Sequence, residues 1–260
     1  MMFPLQGRQM LQMLEKALRS SLPESLKDMT DDLDHYTNTY QIYSKDPQNC
    51  QKLLDSPEVI NWQQHLQIQS SQSSLNEAIQ DLATTKSFQV IHSENILFLA
   101  ADTANELSPS LVDTKNLLPS GSKPKDINES MFKLSSLDTT HVPLVDKFWL
   151  FGGNERSQRF IKRCLQNFPS TCVLGPEGTP ASWTLMDQTG EMRMGGTLPE
   201  YRGQGLVTYV VYSQHQAMKK LGFPIYSHVD KSNKAMQKMS YQVRHVPMPC
   251  AWNQWKCIPL

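Results

Sequence analysis

Two glycines, Gly203 and Gly205, have the spacing of an anion-binding turn. A run of apolar residues at helical spacing follows them, so the chain is predicted to turn here and then form a helix. Glycines leave backbone N–H groups accessible, and the N-terminus of a helix attracts negative charge. The turn is therefore suited to a phosphate or pyrophosphate group. The same Gly-x-Gly spacing is also common in turns that bind no ligand.

Two charged residues, Glu191 and Arg193, lie upstream of this turn in a predicted strand. Because side chains two residues apart on a strand share a face, we expect them to be neighbours. A carboxylate accepts protons, but its ordinary pKa of about 4.3 suits base catalysis only if burial raises it. Arg193 is able to bind a substrate carboxylate through two hydrogen bonds, or to pair with Glu191 and lower its pKa. An isolated Glu at a strand start is otherwise usually a solvated surface acid.

The bulk composition excludes several classes of protein. The 25 basic and 25 acidic residues give a formal net charge of +0, without the basic excess that is typical of nucleic-acid binding. No apolar run approaches the roughly 18 residues that a membrane span needs. The five cysteines are odd in number and lack metal-ligand spacing, which favours a reducing compartment over disulfides or zinc. We therefore expect a soluble globular protein without nucleic-acid partners, a membrane span or a metal.

The N-terminal part of the chain is predicted to be rich in helices, because apolar residues recur there at three- and four-residue spacing. The Ser/Gln-rich segment 67–74 is interpreted as a connector. The segments Phe88–His92 and Ile96–Ala101 predict a hairpin around a polar turn. The predicted helices cover residues 6–22, 31–43, 47–54, 56–66 and 75–84.

A segment rich in Ser, Pro, Lys and Gly, residues 107–128, has the composition of a linker. We therefore divide the chain into an N-terminal domain, residues 1–120, and a C-terminal domain, residues 121–260. The C-terminal domain begins with a strand, two helices and three short strands that are joined by Gly/Pro turns. The glycine turn and its helix come next, and then a strand, a short helix and two more strands. The predicted strands are 132–137, 172–174, 181–186, 191–197, 225–229, 243–247 and 252–258, and the predicted helices are 139–151, 154–168, 206–221 and 233–239.

This order of elements resembles that of the GNAT superfamily of acyl-CoA-dependent N-acyltransferases. The segment Arg202-Gly203-Gln204-Gly205-Leu206-Val207 looks like the superfamily's Arg-x-x-Gly-x-small segment for coenzyme A pyrophosphate. Its last position is usually Gly or Ala, so Val207 departs from the pattern and is expected to crowd the turn. The resemblance implies an α+β fold with a mixed, mostly antiparallel sheet flanked by helices. A helix-rich N-terminal GNAT-like domain would precede it.

Longer segments resemble one family within that superfamily, the acyl-CoA:glycine N-acyltransferases. They are Leu5–Leu14, Asp28–Tyr40, Gly152–Phe160, Leu174–Pro180 and Trp252–Trp255. The resemblance implies a monomeric enzyme of the mitochondrial matrix that moves an acyl group, typically benzoyl, from acyl-CoA to the amine of glycine. The amine would attack directly, without an acyl-enzyme. Acyl-CoA would be a cosubstrate, and no permanently bound cofactor is implied.

The resemblance also implies roles for single residues. Glu191 is the expected general base, and Arg193 is a candidate for binding the glycine carboxylate. Asn233 matches a position where the superfamily often places an Asn near pantetheine, although Asn is equally an ordinary helix N-cap residue. The groups expected to bind coenzyme A are mainly backbone N–H groups, and they belong to Leu198, Arg202, Gly203, Gln204, Gly205, Leu206 and Val207.

One departure from the family lies near the N-terminus. Members of the family carry a stretch with strands and a helix at the point where Lys27 is followed directly by Asp28. Residues 1–85 predict no strand, so the N-terminal domain is expected to be shortened. Three functions therefore stay open: a glycine N-acyltransferase, an enzyme that acylates glutamine or another amino acid, and a shortened inactive form that binds acyl-CoA.

Overall fold

The computed structural model describes residues 38–44, 47–107 and 127–260. This part of the chain forms two compact units. Unit 1 comprises the described residues up to Leu97 together with Pro249–Leu260, and unit 2 comprises those of Phe98–Met248. The helix predicted over 6–22, the junction of Lys27 with Asp28 and the domain boundary predicted at residue 120 all lie outside the described residues.

Unit 1 is built from β1 (Thr39–Gln41), α1 (Pro47–Asp55), β2 (Leu66–Ser70), α2 (Asn76–Thr85), most of β3 (Phe88–Ala100) and the end of β9 (His245–Pro259). The strands follow the order β1, β2, β9, β3. β1 is parallel to β2, and β2 is antiparallel to β9. The core between sheet and helices includes Ile68, Ile79 and Trp255, which are fully buried.

Strands β1 and β2 lie where the sequence predicted a helix over 31–43 and a connector over 67–74. Leu66 and Ile68 are buried and alternate with glutamines, which is the period of a strand. The pairing with β9 supplies the hydrogen bonds that a Gln/Ser-rich segment does not signal by itself. The prediction that residues 1–85 contain no strand is therefore wrong.

Three further local predictions differ from the structure. β3 is one strand where a hairpin was predicted around residues 93–95, because that segment has no turn-forming Gly or Pro and lies beside β9. The two strands predicted at the C-terminus are likewise one strand, β9. Residues 57–64 form turns and bends in place of the predicted helix 56–66. The Trp62 ring N–H donates to the Leu54 carbonyl at 2.7 Å, so this segment folds back onto the end of α1.

Unit 2 contains α3 (Ala101–Leu107), β4 (Lys133–Ser135), α4 (Val142–Phe148), α5 (Glu155–Asn167), β5 (Ser170–Leu174), β6 (Pro180–Met186), β7 (Met192–Thr197), α6 (Leu206–Lys220), β8 (Tyr226–Asp230) and α7 (Lys234–Gln242). β4 to β7 form an antiparallel sheet in chain order. β8 lies beside the end of β3 that belongs to this unit. From β4 to α7 the order of elements agrees with the predicted one, and the α+β fold of GNAT type is confirmed.

Helix α6 is held against the sheet of unit 2 by an apolar face and one buried amide. Val210 and Met218 on this face are fully buried. The Gln214 amide accepts a hydrogen bond from Thr171 Oγ1 at 2.6 Å and donates to the Pro169 carbonyl at 2.8 Å. Because both ends of the amide have partners, its burial costs little stability. These contacts fix the helix and the glycine turn that precedes it.

Strand β7 has an irregular register where it passes Trp183. Met194 has a φ of +54°, a left-handed conformation that residues with side chains rarely adopt. A Cβ on Gly196 would lie 2.6 Å from the Trp183 ring, so glycine is required there. In the described residues β7 and β8 are both edge strands and do not pair with each other. Each therefore has one side on which no other strand of the described residues pairs with it. Across the same described ranges, no helix combines the length and the hydropathy that crossing a bilayer demands.

Candidate active site

Glu191 lies at the start of β7 and is fully buried. Its Oε1 accepts the backbone N–H of His228 at 2.8 Å and also contacts Nδ1 of the His228 ring. Its Oε2 has no hydrogen-bond partner among the described residues and lies 3.9 Å from Nε of Arg193. The neighbours expected from the i, i+2 spacing are therefore in contact, and a histidine of β8 joins them.

The surroundings of Glu191 favour its ionised form. Burial acts to raise the pKa of the carboxyl, but the charge and hydrogen bonds of His228 and the charge of Arg193 outweigh burial, and the pKa lies below its ordinary value. The carboxylate is therefore charged at neutral pH. Of the two possibilities considered for the pKa of Glu191, a rise on burial and a decrease beside Arg193, the decrease agrees with this structure.

Arg193 is held mainly by Asp187. Its Nη1 donates to Asp187 Oδ2 at 2.9 Å, and its guanidinium carbon lies 5.8 Å from the centre of the Trp149 ring. Burial acts to lower the pKa of Arg193, but Asp187 and Glu191 together raise it. Of the two roles considered for Arg193, pairing with Glu191 describes its contacts in this structure. A role in binding the glycine carboxylate stays a prediction.

Asp187 organises the turn that leads into β7. Its Oδ1 accepts the backbone N–H of Thr189 at 2.9 Å, the Thr189 hydroxyl at 2.6 Å and the backbone N–H of Glu191 at 3.3 Å. The Tyr226 hydroxyl on β8 donates to the Thr189 carbonyl at 2.8 Å. These bonds fix the position of Glu191 relative to β8. Sequence reasoning missed both Asp187 and the contact of His228 with Glu191.

The glycine turn has the backbone conformation that the sequence predicted. Gly203 and Gly205 have φ values of +77° and +79°, and a Cβ at either position would meet no atom within 4 Å. Gly205 is the N-cap of α6 and provides no side-chain cap. The first-turn N–H groups of α6 are therefore available to an external acceptor.

The backbone N–H groups expected to bind coenzyme A are not all available. That of Leu198 donates to the Ala181 carbonyl at 2.9 Å, and that of Arg202 donates to the Pro199 carbonyl at 3.2 Å. An anion at this turn would therefore be bound by the segment that begins at Gly203. The side chains of Arg202 and Gln204 contact the backbone carbonyls of Thr197 and Glu200.

The side chains that follow the turn pack inward. Leu206 is buried, and Val207 packs against the apolar cluster that contains Met186 and Val211. The Val207 side chain, which was expected to crowd the turn, therefore contributes to the core of unit 2.

Asn233 is the N-cap residue of α7. Its side-chain oxygen accepts the backbone N–H of Met236 at 3.1 Å, so the ordinary capping role is observed. A contact between Asn233 and pantetheine stays a prediction. Within the described ranges, no group of three or more His, Cys, Asp and Glu residues is arranged to hold a metal ion.

Two family models match the chain. The model described as aralkyl acyl-CoA:amino acid N-acyltransferase matches residues 26–169, and the model of that family's C-terminal region matches residues 171–259. Glycine N-acyltransferases from rat and from human are both 64% identical to the chain over 296 residues, with 100% of each sequence covered.

A solved structure supports the fold. The X-ray structure of a Drosophila protein superposes with a TM-score of 0.69 at 12% identity, covering 95% of this chain and 89% of that one. At such low identity the likeness concerns the fold alone.

The alignments also bear on the expected shortening. They extend over 296 positions, against the 260 residues of this chain, a difference of 36. At least that many aligned positions have no residue here, as expected for a chain that lacks a segment of its relatives. The position of the gap between Lys27 and Asp28 stays a prediction. By its match to both family models and to full-length relatives, the chain belongs to the aralkyl acyl-CoA:amino acid N-acyltransferase family and is an acyltransferase.

Proposed function

We propose that the chain transfers an acyl group, benzoyl or a similar acid, from acyl-CoA to the amine of glycine, giving an N-acylglycine and coenzyme A. The names of the relatives at 64% identity support glycine as the acceptor. The observation that carries the proposal is the buried, ionised carboxylate of Glu191 in contact with His228. An ionised carboxylate is able to accept a proton, which a protonated carboxyl group is not.

Glycine arrives mainly as an ammonium ion at neutral pH, so its nitrogen must lose a proton before it attacks the thioester carbonyl. We assign the basic group to the Glu191 site. We propose that the attack is direct, as the family resemblance implies, and two buried cysteines of unit 2 agree with this because their thiols are poor nucleophiles. Burial raises the pKa of Cys164, and raises that of Cys172 to about 11, so both stay protonated.

Acyl-CoA is the cosubstrate in this proposal. The Gly203–Gly205 turn and the first turn of α6 bind the pyrophosphate, since they combine open space with N–H groups that lack a side-chain cap. Backbone groups on the sides of β7 and β8 where no strand pairs are candidates for binding the pantetheine arm. Asn233 at the start of α7 is a further candidate for this arm.

The acceptor is tested by measuring thiol release from benzoyl-CoA with glycine, glutamine and other amino acids at equal millimolar concentration. Release with glycine well above the other acceptors supports the proposal. Release with glutamine alone would show that the enzyme acylates glutamine in place of glycine. The absence of thiol release with glycine at millimolar levels would overturn the proposal that glycine is the acceptor.

A second candidate function is acyl-CoA binding without turnover, which the 36 unmatched positions in the alignment favour. Thermal unfolding with and without coenzyme A separates the two, because a ligand that binds only the folded state raises its stability. Stabilisation by coenzyme A in a protein that releases no thiol would establish the binding form.

We also propose that the enzyme is a monomer of the mitochondrial matrix, on the basis of the family resemblance. Sedimentation of the purified protein tests the first statement, and fractionation of cells that express the chain tests the second. A dimer, or recovery of the chain outside mitochondria, would contradict them.

A further inference from the structure

The two carboxylate oxygens of Glu191 have different surroundings. Oε1 accepts the backbone N–H of His228 at 2.8 Å, whereas Oε2 has no hydrogen-bond partner in the part of the chain that the structure describes. The Glu191 side chain is only 1% exposed, and a buried polar atom without a partner is uncommon because its desolvation costs stability. A general base needs an oxygen with unused lone pairs to take up a proton. Oε2 is therefore the oxygen of Glu191 that has this capacity.

A cation lies just beyond hydrogen-bond distance of this oxygen. Nε of Arg193 is 3.9 Å from Oε2 of Glu191. A guanidinium that moved about 1 Å closer would donate to Oε2 and occupy its lone pairs. It would also lower the pKa of the carboxyl further, because a nearby positive charge favours the carboxylate. Both effects would weaken Glu191 as a base.

Asp187 holds this guanidinium away from Oε2. Its Oδ2 accepts a hydrogen bond from Nη1 of Arg193 at 2.9 Å, and its Oδ1 accepts the backbone N–H of Glu191 at 3.3 Å. One buried carboxylate therefore fixes both the backbone of the base and the side chain of the cation. Because the guanidinium is planar and rigid, the bond at Nη1 also restricts the approach of Nε to Glu191.

We infer that Asp187 is a positioning residue for the reaction: by binding Arg193, it keeps Oε2 of Glu191 free to take a proton from the glycine ammonium group. This role rests on the proposed function, in which Glu191 is the base. The titratable groups that face Glu191 are Arg193 of β7 and His228 of β8, and Arg193 also faces Asp187 and Cys164 of α5. The ion pair thereby serves the chemistry as well as the stability of the turn.

The proposed step balances as follows. The ammonium group gives one proton to Oε2 of Glu191, and the freed lone pair forms the C–N bond with the thioester carbonyl carbon. The C–S bond then breaks, and its electron pair leaves on the sulfur of coenzyme A. A second proton of the attacking nitrogen passes to that sulfur, and the proton on Glu191 returns to solvent. The products are an N-acylglycine, coenzyme A as a thiol and one proton.

The variant Asp187→Asn separates this role from that of holding the turn. The amide keeps a carbonyl oxygen that can accept the backbone N–H groups of the turn, but it no longer carries the charge that attracts Arg193. The guanidinium is then expected to move towards Glu191. In a purely structural role, the loss of the ion pair would act on stability alone and would not depend on the protonation of glycine.

The matched control is Asp102→Asn. Asp102 also pairs with a cation, Nζ of Lys219 at 2.6 Å, and accepts a backbone N–H, that of Thr103 at 3.0 Å. Lys219 lies in the last turn of α6, at the opposite end of this helix from the glycine turn. The control therefore removes a similar ion pair away from Glu191.

The experiment measures kcat and KM for benzoyl-CoA with saturating glycine at pH 7 and pH 9.5, together with thermal stability. We expect kcat of Asp187→Asn at pH 7 to fall about tenfold, because the base is weakened and not removed, with KM changed less than about twofold. At pH 9.5 the loss should shrink to about threefold or less, because more of the glycine then has a free amine that needs no base. Asp102→Asn should keep at least half of the wild-type kcat at both pH values.

The variant Arg193→Gln, alone and combined with Asp187→Asn, tests whether Asp187 acts through Arg193. Without the guanidinium, Asp187 has no cation to hold, so these two proteins should agree in kcat within about twofold. The double variant should also be at least about threefold faster at pH 7 than Asp187→Asn. Since neither protein contains a guanidinium without its counter-charge, their comparison holds even if Asp187→Asn alone fails to fold.

Three results would overturn this role of Asp187. They are a loss of less than twofold in Asp187→Asn at pH 7, an equal loss at both pH values, and a double variant more than twofold slower than Arg193→Gln. A wild-type protein that releases no thiol with glycine would instead overturn the proposed function.

Discussion

The buried Asp187 and the partly exposed Arg193 form an ion pair across the turn that leads into β7, with 2.9 Å between Oδ2 and Nη1. The same carboxylate binds the backbone of the turn through its other oxygen. Asp187 therefore performs two tasks: it fixes the approach to Glu191, and it takes up most of the positive charge of Arg193. Without it, Arg193 would have Glu191 as its nearest acid.

The first prediction concerns the replacement Asp187→Asn. The amide keeps the size of the side chain but removes the counter-charge nearest to a guanidinium that is only 15% exposed, so we expect a loss of about 3 kcal/mol in the free energy of unfolding. Urea unfolding measures it. The control is Asp230→Asn, because Asp230 also bonds the backbone two residues on but is exposed, and it should change stability by less than about 1 kcal/mol. Equal losses in the two variants would contradict a special role for the ion pair.

A second prediction separates binding from stability at the glycine turn. Gly205 and Gly178 have φ values of +79° and +75°, and a Cβ at either position would have no atom within 4 Å. Alanine should therefore cost each site about 1 kcal/mol of stability. Only Gly205→Ala places its methyl group where the pyrophosphate is proposed to bind, so only this variant should raise KM for acyl-CoA, by about tenfold. A matching rise in Gly178→Ala would show that the effect is one of stability.

The elements around the site could be predicted because their signals are local. The three strands β5, β6 and β7 are separated by Gly/Pro turns, and α6 follows two glycines that need a left-handed backbone. The strands of unit 1 were missed because β2 alternates leucine and isoleucine with glutamine, and its pairing with β9 depends on residues far along the chain.

The centre of the site could be predicted only in part, because some of its contacts are local in the sequence and others join residues far apart in the chain. Glu191 and Arg193 share a face because they are two residues apart on a strand. The contact of Glu191 with His228 joins residues 37 positions apart, and no local pattern marks it. The spacing suggested that Arg193 could lower the pKa of Glu191, whereas the lowering effect of His228 becomes visible only in the folded chain.

A third prediction uses the backbone at the end of α2. Ser87 is exposed and has a φ of +60°, and its carbonyl accepts the N–H of Leu260 at 2.9 Å. Glycine adopts this conformation without strain, so Ser87→Gly should stabilise the protein by about 0.5–1 kcal/mol. Ser87→Ala, which removes the hydroxyl but keeps the strain, is the matched control and should not stabilise. Urea unfolding midpoints compare the two, and a gain from alanine equal to that from glycine would contradict the backbone explanation.

The fourth prediction concerns the dependence of stability on pH. His245 is buried, and in the described part of the chain neither ring nitrogen has a hydrogen-bond partner. Burial, and to a smaller extent the charge of His215, lower the pKa of His245 from 6.5 to about 3, while Asp102 acts in the opposite direction. Between these two pKa values the unfolded chain binds a proton that the folded chain does not, so stability falls as the pH decreases through this range.

The expected contribution of His245 is a loss of roughly 2 kcal/mol between pH 7 and pH 5. The variant His245→Leu removes the titrating ring at similar volume, while His215, Asp102 and the Lys219 that bonds Asp102 at 2.6 Å remain. Urea unfolding at pH 7 and pH 5 should therefore show a smaller loss in the variant than in the wild-type protein, by about that amount. Identical pH dependences would mean that another group causes the acid sensitivity. A wild-type protein that is equally stable at both pH values would show that folding does not lower the pKa of His245.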